Sequence, residues 1–291
     1  MANNITRFRA YQLGTAGSSF SYCVDNVFVL IEGRYNDVNK PNIKQEMAYC
    51  GCKYIDRLHI TSWDKDHCNP SELDALLNEL MPTTIECPGY NPDTDCAKES
   101  LKIIKEYVKR LSVASEYSFT PETINKLTVA EERKYSDVIF NPLTISEKHN
   151  DNSTVKLFRR GRFCVLSLGD CESPEISARI ANDSIACNET DVMILAHHGA
   201  DNGFTTQDLL HSVRPKVAVC TSNYDNQYEH PGQNIRSLLH ANNIPLYTTK
   251  TGDVLIVCGI DNTCVVYNLA GNNTTISSKS LFKPKLSVPN E

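Results

Sequence analysis

Residues 191–257 read DVMILAHHGADNGFTTQDLLHSVRPKVAVCTSNYDNQYEHPGQNIRSLLHANNIPLYTTKTGDVLIV. VMILAHH, VAVCTSN and DVLIV are apolar, β-branched runs separated by polar segments, the alternation of a layered α/β domain. The first run ends in His197-His198 and then glycine. Two adjacent imidazoles at the end of a strand are poorly explained as core. His230 follows in the loop NYDNQYEHPG, before a proline and a helix-like segment.

Working upstream, CVLSLGDCE is an apolar run that ends in Gly169-Asp170, ahead of the helix-like SPEISARIA. Asp170 or Ser173 can simply cap that helix. Further upstream, TSWDKDHCNP sets Asp64, Asp66 and His67 just after a run ending near Ser62. A solvated acidic turn would look the same. Taken together, four Asp and His clusters at strand ends point to one site on one edge of a layered sheet, because side chains at the C-terminal ends of strands converge.

The remaining strands are VFVLIEG (27–33), DRLHITS (56–62), TIECPG (84–89), DVIFNPL (137–143) and TCVVYNL, with TVKLFRR and RFCVLSLG forming a hairpin about Gly161. Asn69-Pro70-Ser71-Glu72 offers a cap, a first-turn proline and a capping-box glutamate before Leu73, Leu76, Leu77 and Leu80. KESLKIIKEYVKRL places Leu101, Ile104, Val108 and Leu111 on one helical face. Residues 112–135 look like a polar insertion. Residues 1–270 read as a single domain and residues 271–291 as a flexible polar tail, free to act as a docking arm.

The 291 residues carry a formal charge of −6, so no global field draws polyanions to the chain. No apolar stretch approaches the roughly 18 residues of a membrane span, and the N-terminus lacks a leader pattern, which predicts a cytoplasmic protein. Twelve cysteines are scattered, most in apolar runs, and read as reduced thiols rather than disulfides. The pair Cys50-Gly51-Cys52 has no second pair at zinc-finger spacing.

Residues 191–257, together with NPLTISEKHNDNSTVKLFRRGRFCVLSLGD upstream, resemble the metallo-β-lactamase-like domain of ComEC competence proteins. The likeness runs from about Arg9 to Asn268 and is densest from residue 137 onward. It implies an αββα sandwich, two mixed β-sheets face to face with helices outside and the site at one edge. The family's first motif, H-x-D-x-D-H, matches Ser62 to His67, so serine replaces the leading histidine. The resemblance implies one metal position made of Asp66, His67, Asp170 and His230. It implies a weakened second position made of Ser62, Asp64, Asn152 and the bridging Asp170. His197 and His198 are expected beside the substrate, with Asp170 completing the catalytic group. His59 is expected on the other face of its strand, as a core or supporting residue.

An oxygen-rich ligand set favours Mn²⁺, with Zn²⁺ or Mg²⁺ as alternatives, as one or two ions. The implied activity is hydrolysis of a phosphodiester, in nucleic acid or a nucleotide, by a metal-activated water. The rival reading is a degenerate copy of the fold acting as a subunit or sensor, supported by Ser62 and Asn152. A protein partner or homo-oligomer is compatible with either.

Overall fold

The computed structural model describes residues 5–127, 137–271 and 273–286. The chain opens with β1 (Thr6–Ala10), β2 (Phe20–Val24) and β3 (Val27–Ile31). Asp25 and Asn26, both at positive φ, turn β2 into β3 and set Val24 opposite Val27, as a two-residue hairpin requires. Then follow α1 (Lys40–Tyr49), β4 (Arg57–His59), α2 (Pro70–Leu80), β5 (Thr84–Pro88), α3 (Asp95–Arg110), β6 (Ser115–Phe119) and α4 (Pro121–Lys126). The second half runs β7 (Val138–Asn141), β8 (Val155–Phe158), β9 (Cys164–Ser167), α5 (Pro174–Ala181), α6 (Ser184–Glu189), β10 (Thr190–Ile194), α7 (Gln207–Val213), β11 (Val217–Cys220), α8 (Gln233–Ala241) and β12 (Leu246–Thr248). The chain then returns to the first sheet through β13 (Val254–Cys258), β14 (Cys264–Ala270) and β15 (Thr275–Phe282).

These strands form two sheets, ordered β15-β14-β13-β1-β2-β3-β4-β5-β6 and β12-β11-β10-β9-β8-β7. Both are mixed. In the first, β3 to β6 run parallel and the rest antiparallel. In the second, β7, β8 and β9 pair antiparallel, whereas β9 to β12 run parallel. The inner faces meet in a core that includes Phe8, Phe20, Val29, Ile31, Phe158, Val165, Val192 and Val219. A second core seats α1, α2 and α3 on the first sheet, and a third seats α5 to α8 on the other. The result is the expected αββα sandwich.

A polar cluster also bridges the sheets. Lys156 on β8 is 1% exposed, and its Nζ donates to Glu86 Oε2 at 2.7 Å and lies 3.3 Å from Asp137. His59, fully buried, sets Nδ1 2.9 Å from the same Glu86 oxygen and packs against Phe119 and Phe158. His59 is thus a core residue facing away from the strand-end site, as its register predicts.

The local signals mostly hold. Asn69 accepts from Ser71 N at the start of α2, whose Leu73, Leu76, Leu77 and Leu80 are buried. Glu72, expected to close a capping box, instead holds Arg34 and accepts from Tyr35 N. The most buried line of α3 is Ala97, Ser100, Ile104 and Tyr107, with Leu101, Val108 and Leu111 flanking it, because Ser100 and Tyr107 hydrogen-bond inward to the Cys68 and Pro82 carbonyls. The Cys50-Gly51-Cys52 turn terminates α1, with Cys52 N returning to the Met47 carbonyl at 2.8 Å.

Two expectations need correction. Within the segment read as a polar insertion, Ser115–Phe119 pairs with β5 as an edge strand and Pro121–Lys126 is helical; residues 128–136 lie outside the described residues. Within the segment read as a flexible tail, Thr275–Phe282 is β15, in register with β14. Its polar composition reflects an edge position with nearly every side chain in solvent, which leaves no apolar alternation to read. Beyond it, Lys285 N reaches Asp191 Oδ1 at 2.8 Å, and its ammonium reaches the carbonyls of Cys187 and Val213.

Candidate metal centre

The parallel strands β4, β9, β10 and β11 deliver the candidate residues from their C-terminal ends, the usual position of a site in such sheets. From β4 the chain continues through Thr61 and Ser62 to Asp64, Asp66 and His67. From β9 it reaches Asp170, and from β10 His197 and His198. One ligand atom each from Asp66, His67, Asp170 and His198 lies within 4.8 Å of the others.

Each imidazole is oriented from behind. His67 Nδ1 sits 3.2 Å from Glu32 Oε1, and that carboxylate is itself held by the Thr61 hydroxyl at 2.5 Å and Thr61 N at 3.1 Å. His198 Nδ1 faces the Thr221 carbonyl and hydroxyl, both at 3.2 Å. Proton-accepting partners at both Nδ1 atoms leave both Nε2 lone pairs turned inward, the arrangement that orients histidine ligands in metal sites. His67 Nε2 lies 2.8 Å from Asp170 Oδ2, and His198 Nε2 lies 3.1 Å from Asp66 Oδ2 and 4.0 Å from Asp170 Oδ1. Buried His67 Nε2 and Asp170 Oδ1 nevertheless lack hydrogen-bond partners. Unpartnered, converging donors of this kind fit a cation between them.

The charges agree. Burial opposes protonation of His67, but Asp170, Glu32 and Asp66 outweigh it and hold the imidazole well above its usual range. Burial likewise opposes ionisation of Asp66, and His67 and His198 more than compensate. Asp170 is held low against the same burial, chiefly by His67.

Asp170 is positioned by its neighbours. Gly169, at φ +55°, would drive a Cβ to 2.7 Å from Ser153 Cβ, and Ser153 Oγ accepts from Asp170 N at 3.1 Å. Asp151 Oδ1 accepts from Glu172 N and Ser173 N, so the stretch Asp151-Asn152-Ser153 buttresses the loop that carries Asp170. Ser173, not Asp170, caps α5.

His197 and His198 both adopt left-handed backbone, at φ 46° and 53°. Two consecutive non-glycine residues there store strain of about 1–3 kcal/mol each. The turn sends the rings apart, one into the cluster and one toward Glu172, whose Oε1 lies 2.7 Å from His197 Nδ1. Gly199 lets the turn pack against Pro231, since a Cβ there would meet Pro231 Cβ at 2.7 Å. This docking places the His230 ring 6.1 Å from that of His197, where it stacks on Tyr228.

His198 therefore occupies the place in the group that the resemblance assigns to His230. Asp64, Ser62 and Asn152 have other partners, although Asp64 feels the charges of His67, Asp170 and Asp66. Ser62 Oγ donates to Asp64 Oδ2 at 3.0 Å and meets the Tyr90 hydroxyl at 3.1 Å. Asn152 Oδ1 accepts from Ser146 N at 2.7 Å, and its amide donates to the Ser146 and Lys148 carbonyls. Glu32, Tyr90, Glu172 and Thr221 contact candidate residues and were not singled out in the sequence. Of these Glu32 alone carried a signal, as a carboxylate ending the apolar run VFVLIEG.

No protein-family model matches the chain, and no curated protein matches it. Solved structures do. The metallo-β-lactamase fold protein YhfI from Bacillus subtilis superposes with a TM-score of 0.50 at 12% identity, over 85% of this chain and 98% of that one. The fold is the metallo-β-lactamase fold. A diphosphatase of the PhnP family matches at a TM-score of 0.45 and 13% identity, over 88% of this chain and 100% of its own. Igni18, a metallo hydrolase from Ignicoccus hospitalis, matches at 0.46 and 11%, over 86% and 98%. Among the described residues no helix is long and apolar enough to cross a membrane.

Proposed function

We propose that the chain is a metal-dependent hydrolase of the ComEC type that cleaves a phosphodiester, in nucleic acid or a nucleotide. The observation that carries the metal dependence is the convergence of Asp66, His67, Asp170 and His198 with two buried donor atoms unpartnered. The phosphodiester reading rests on the family resemblance of residues 137–268.

In this reading Asp66, His67, Asp170 and His198 hold a divalent cation. Two imidazoles and two carboxylates suit Mn²⁺ and Zn²⁺; Mg²⁺, which prefers oxygen ligands throughout, is less well served. When bound, such an ion lends Lewis acidity toward water and a phosphoryl oxygen. Glu32 and Thr221 keep the two imidazoles in the ligating tautomer. His197, whose ring lies 6.3 Å from that of His198, and His230, 6.1 Å from His197, are assigned to the substrate's leaving oxygen. Glu172 beside His197 Nδ1 orients that ring, so its Nε2 is the atom offered to substrate. The single hydrolase domain works in the cytoplasm, consistent with twelve cysteines that are all unpaired.

The test is hydrolysis of bis-p-nitrophenyl phosphate and of single-stranded DNA with Mn²⁺ supplied, abolished by a chelator. Failure with Mn²⁺, Mg²⁺, Zn²⁺ and Co²⁺ across nucleic acids and cyclic nucleotides would favour a degenerate subunit or sensor. The hydrogen-bonded state of Ser62 and Asn152 is the observation on that side.

A further inference from the structure

We infer that this chain is built for one metal ion, because the Tyr90 hydroxyl, held against Ser62 and Trp63 N, engages the Ser62 oxygen that a second ion would need. The inference rests on the proposed hydrolase reading for its first ion.

In the resemblance, Ser62, Asp64 and Asn152 are the residues left to hold a second ion beside Asp170. Here Ser62 pairs with Asp64 and Tyr90, and Asn152 with the loop at residues 146–148. Ser62 is fully buried, and its hydroxyl has a complete set of short partners, Asp64 Oδ2 at 3.0 Å, Asp64 N at 3.2 Å and Tyr90 OH at 3.1 Å. Tyr90 is fixed at both ends. Its hydroxyl accepts from Trp63 N at 3.0 Å, and its carbonyl accepts from Trp63 Nε1 at 3.0 Å. Trp63 is 3% exposed and packs in the core under α2 and α3, so the phenol cannot swing away without moving that core.

Asn152 is 2% exposed, and its oxygen and nitrogen both staple residues 146–148 into place, so the amide is already engaged with that loop. None of the Ser62, Asn152 or Tyr90 side-chain oxygens is an orphaned buried atom, in contrast to His67 Nε2 and Asp170 Oδ1 at the first position. A metal position is marked by donors that lack partners; beyond Asp170 and Asp64, the Ser62, Asn152 and Tyr90 oxygens would have to give up their present hydrogen bonds to ligate. A neutral phenol, a serine and an amide are also poor ligands beside the imidazoles and carboxylates next door.

The experiment is metal stoichiometry of purified wild type and of Ser62→His, equilibrated with Mn²⁺, Zn²⁺ or Co²⁺ and measured by elemental analysis and calorimetric titration. One ion per chain in both proteins is expected, because a histidine at position 62 still meets Tyr90 and leaves Asn152 engaged. The triple variant Ser62→His/Tyr90→Phe/Asn152→His should then move toward two. Two ions in wild type, or a rise to two in Ser62→His alone, overturns the inference while leaving the hydrolase proposal standing. No ion in wild type overturns the hydrolase proposal itself, and this inference with it. The first two proteins decide the matter even if the triple variant does not fold.

Discussion

Glu32 Oε1 lies 3.2 Å from His67 Nδ1, and this contact decides which nitrogen of His67 faces the cluster. A carboxylate at Nδ1 holds the proton there and presents Nε2 as a lone pair. Glu32→Gln should therefore lower metal affinity by about 10- to 100-fold, the usual effect of losing such a support, without loss of fold. Titration calorimetry with Mn²⁺ or Zn²⁺ measures it; affinity within twofold of wild type would remove Glu32 from the site.

The ligand assignment separates His198 from His230. His198→Ala, like Asp66→Ala, His67→Ala and Asp170→Ala, should abolish stoichiometric metal binding. His230→Ala should keep the ion and lower the rate by about 10²-fold or more, as loss of a proton-transfer group does. Metal analysis of the set decides it. Retained metal in His198→Ala with loss in His230→Ala would restore the grouping that the sequence resemblance implies.

Gly169 and Gly203 form a matched pair, both at positive φ. Gly169→Ala must displace Ser153, which holds Asp170, whereas a Cβ on Gly203 meets nothing within 4 Å. The first substitution should cost well over ~1 kcal/mol and weaken metal binding, and the second about 1 kcal/mol or less, with metal binding intact. Denaturant unfolding and metal titration on the two proteins test the contrast. Equal effects would mean that the Ser153 contact does not support the site.

The cluster between the sheets sets the acid limit of the fold. Burial pushes His59 below its ordinary 6.5, so the folded chain takes up this proton later than the unfolded one. For Glu86 burial acts upward, but Lys156, His59 and Arg57 outweigh it and hold the carboxyl below its ordinary 4.5. Both folded values are depressed, so both contributions are present above the unfolded values and are lost as pH falls. The contribution of this cluster should decline below about pH 6.5 and more steeply below about pH 4.5, read as the difference in melting temperature between wild type and Glu86→Gln, which cancels the opposite-signed contribution of the raised His67 and His198. Lys156→Ala, which leaves Glu86 buried without its closest cation, should cost about 3–5 kcal/mol at neutral pH. A difference between wild type and Glu86→Gln that stays constant from pH 7 to pH 4 would contradict this account.

Much of the molecule was legible from local pattern. Alternating apolar runs, the Asn69-Pro70 cap and the hairpin at Gly161 depend on neighbours within a few residues, and the corresponding elements form. The order of Asp and His clusters at strand ends pointed to one edge, because a parallel sheet delivers every strand's C-terminal end to the same side. By itself the sequence determined a layered α/β architecture, a strand-end site and the candidate residues in it. The tertiary structure alone decided how those residues combine. That His198 and not His230 joins Asp66, His67 and Asp170 follows from a left-handed turn and a bond to Thr221, 23 residues away. That Ser62 is closed off follows from Tyr90, 28 residues away on another loop. Edge strands such as β15 escaped notice because solvent on both faces erases the period that marks a strand. Side-chain orientation at a site depends on contacts between segments distant in sequence, and no local pattern encodes them.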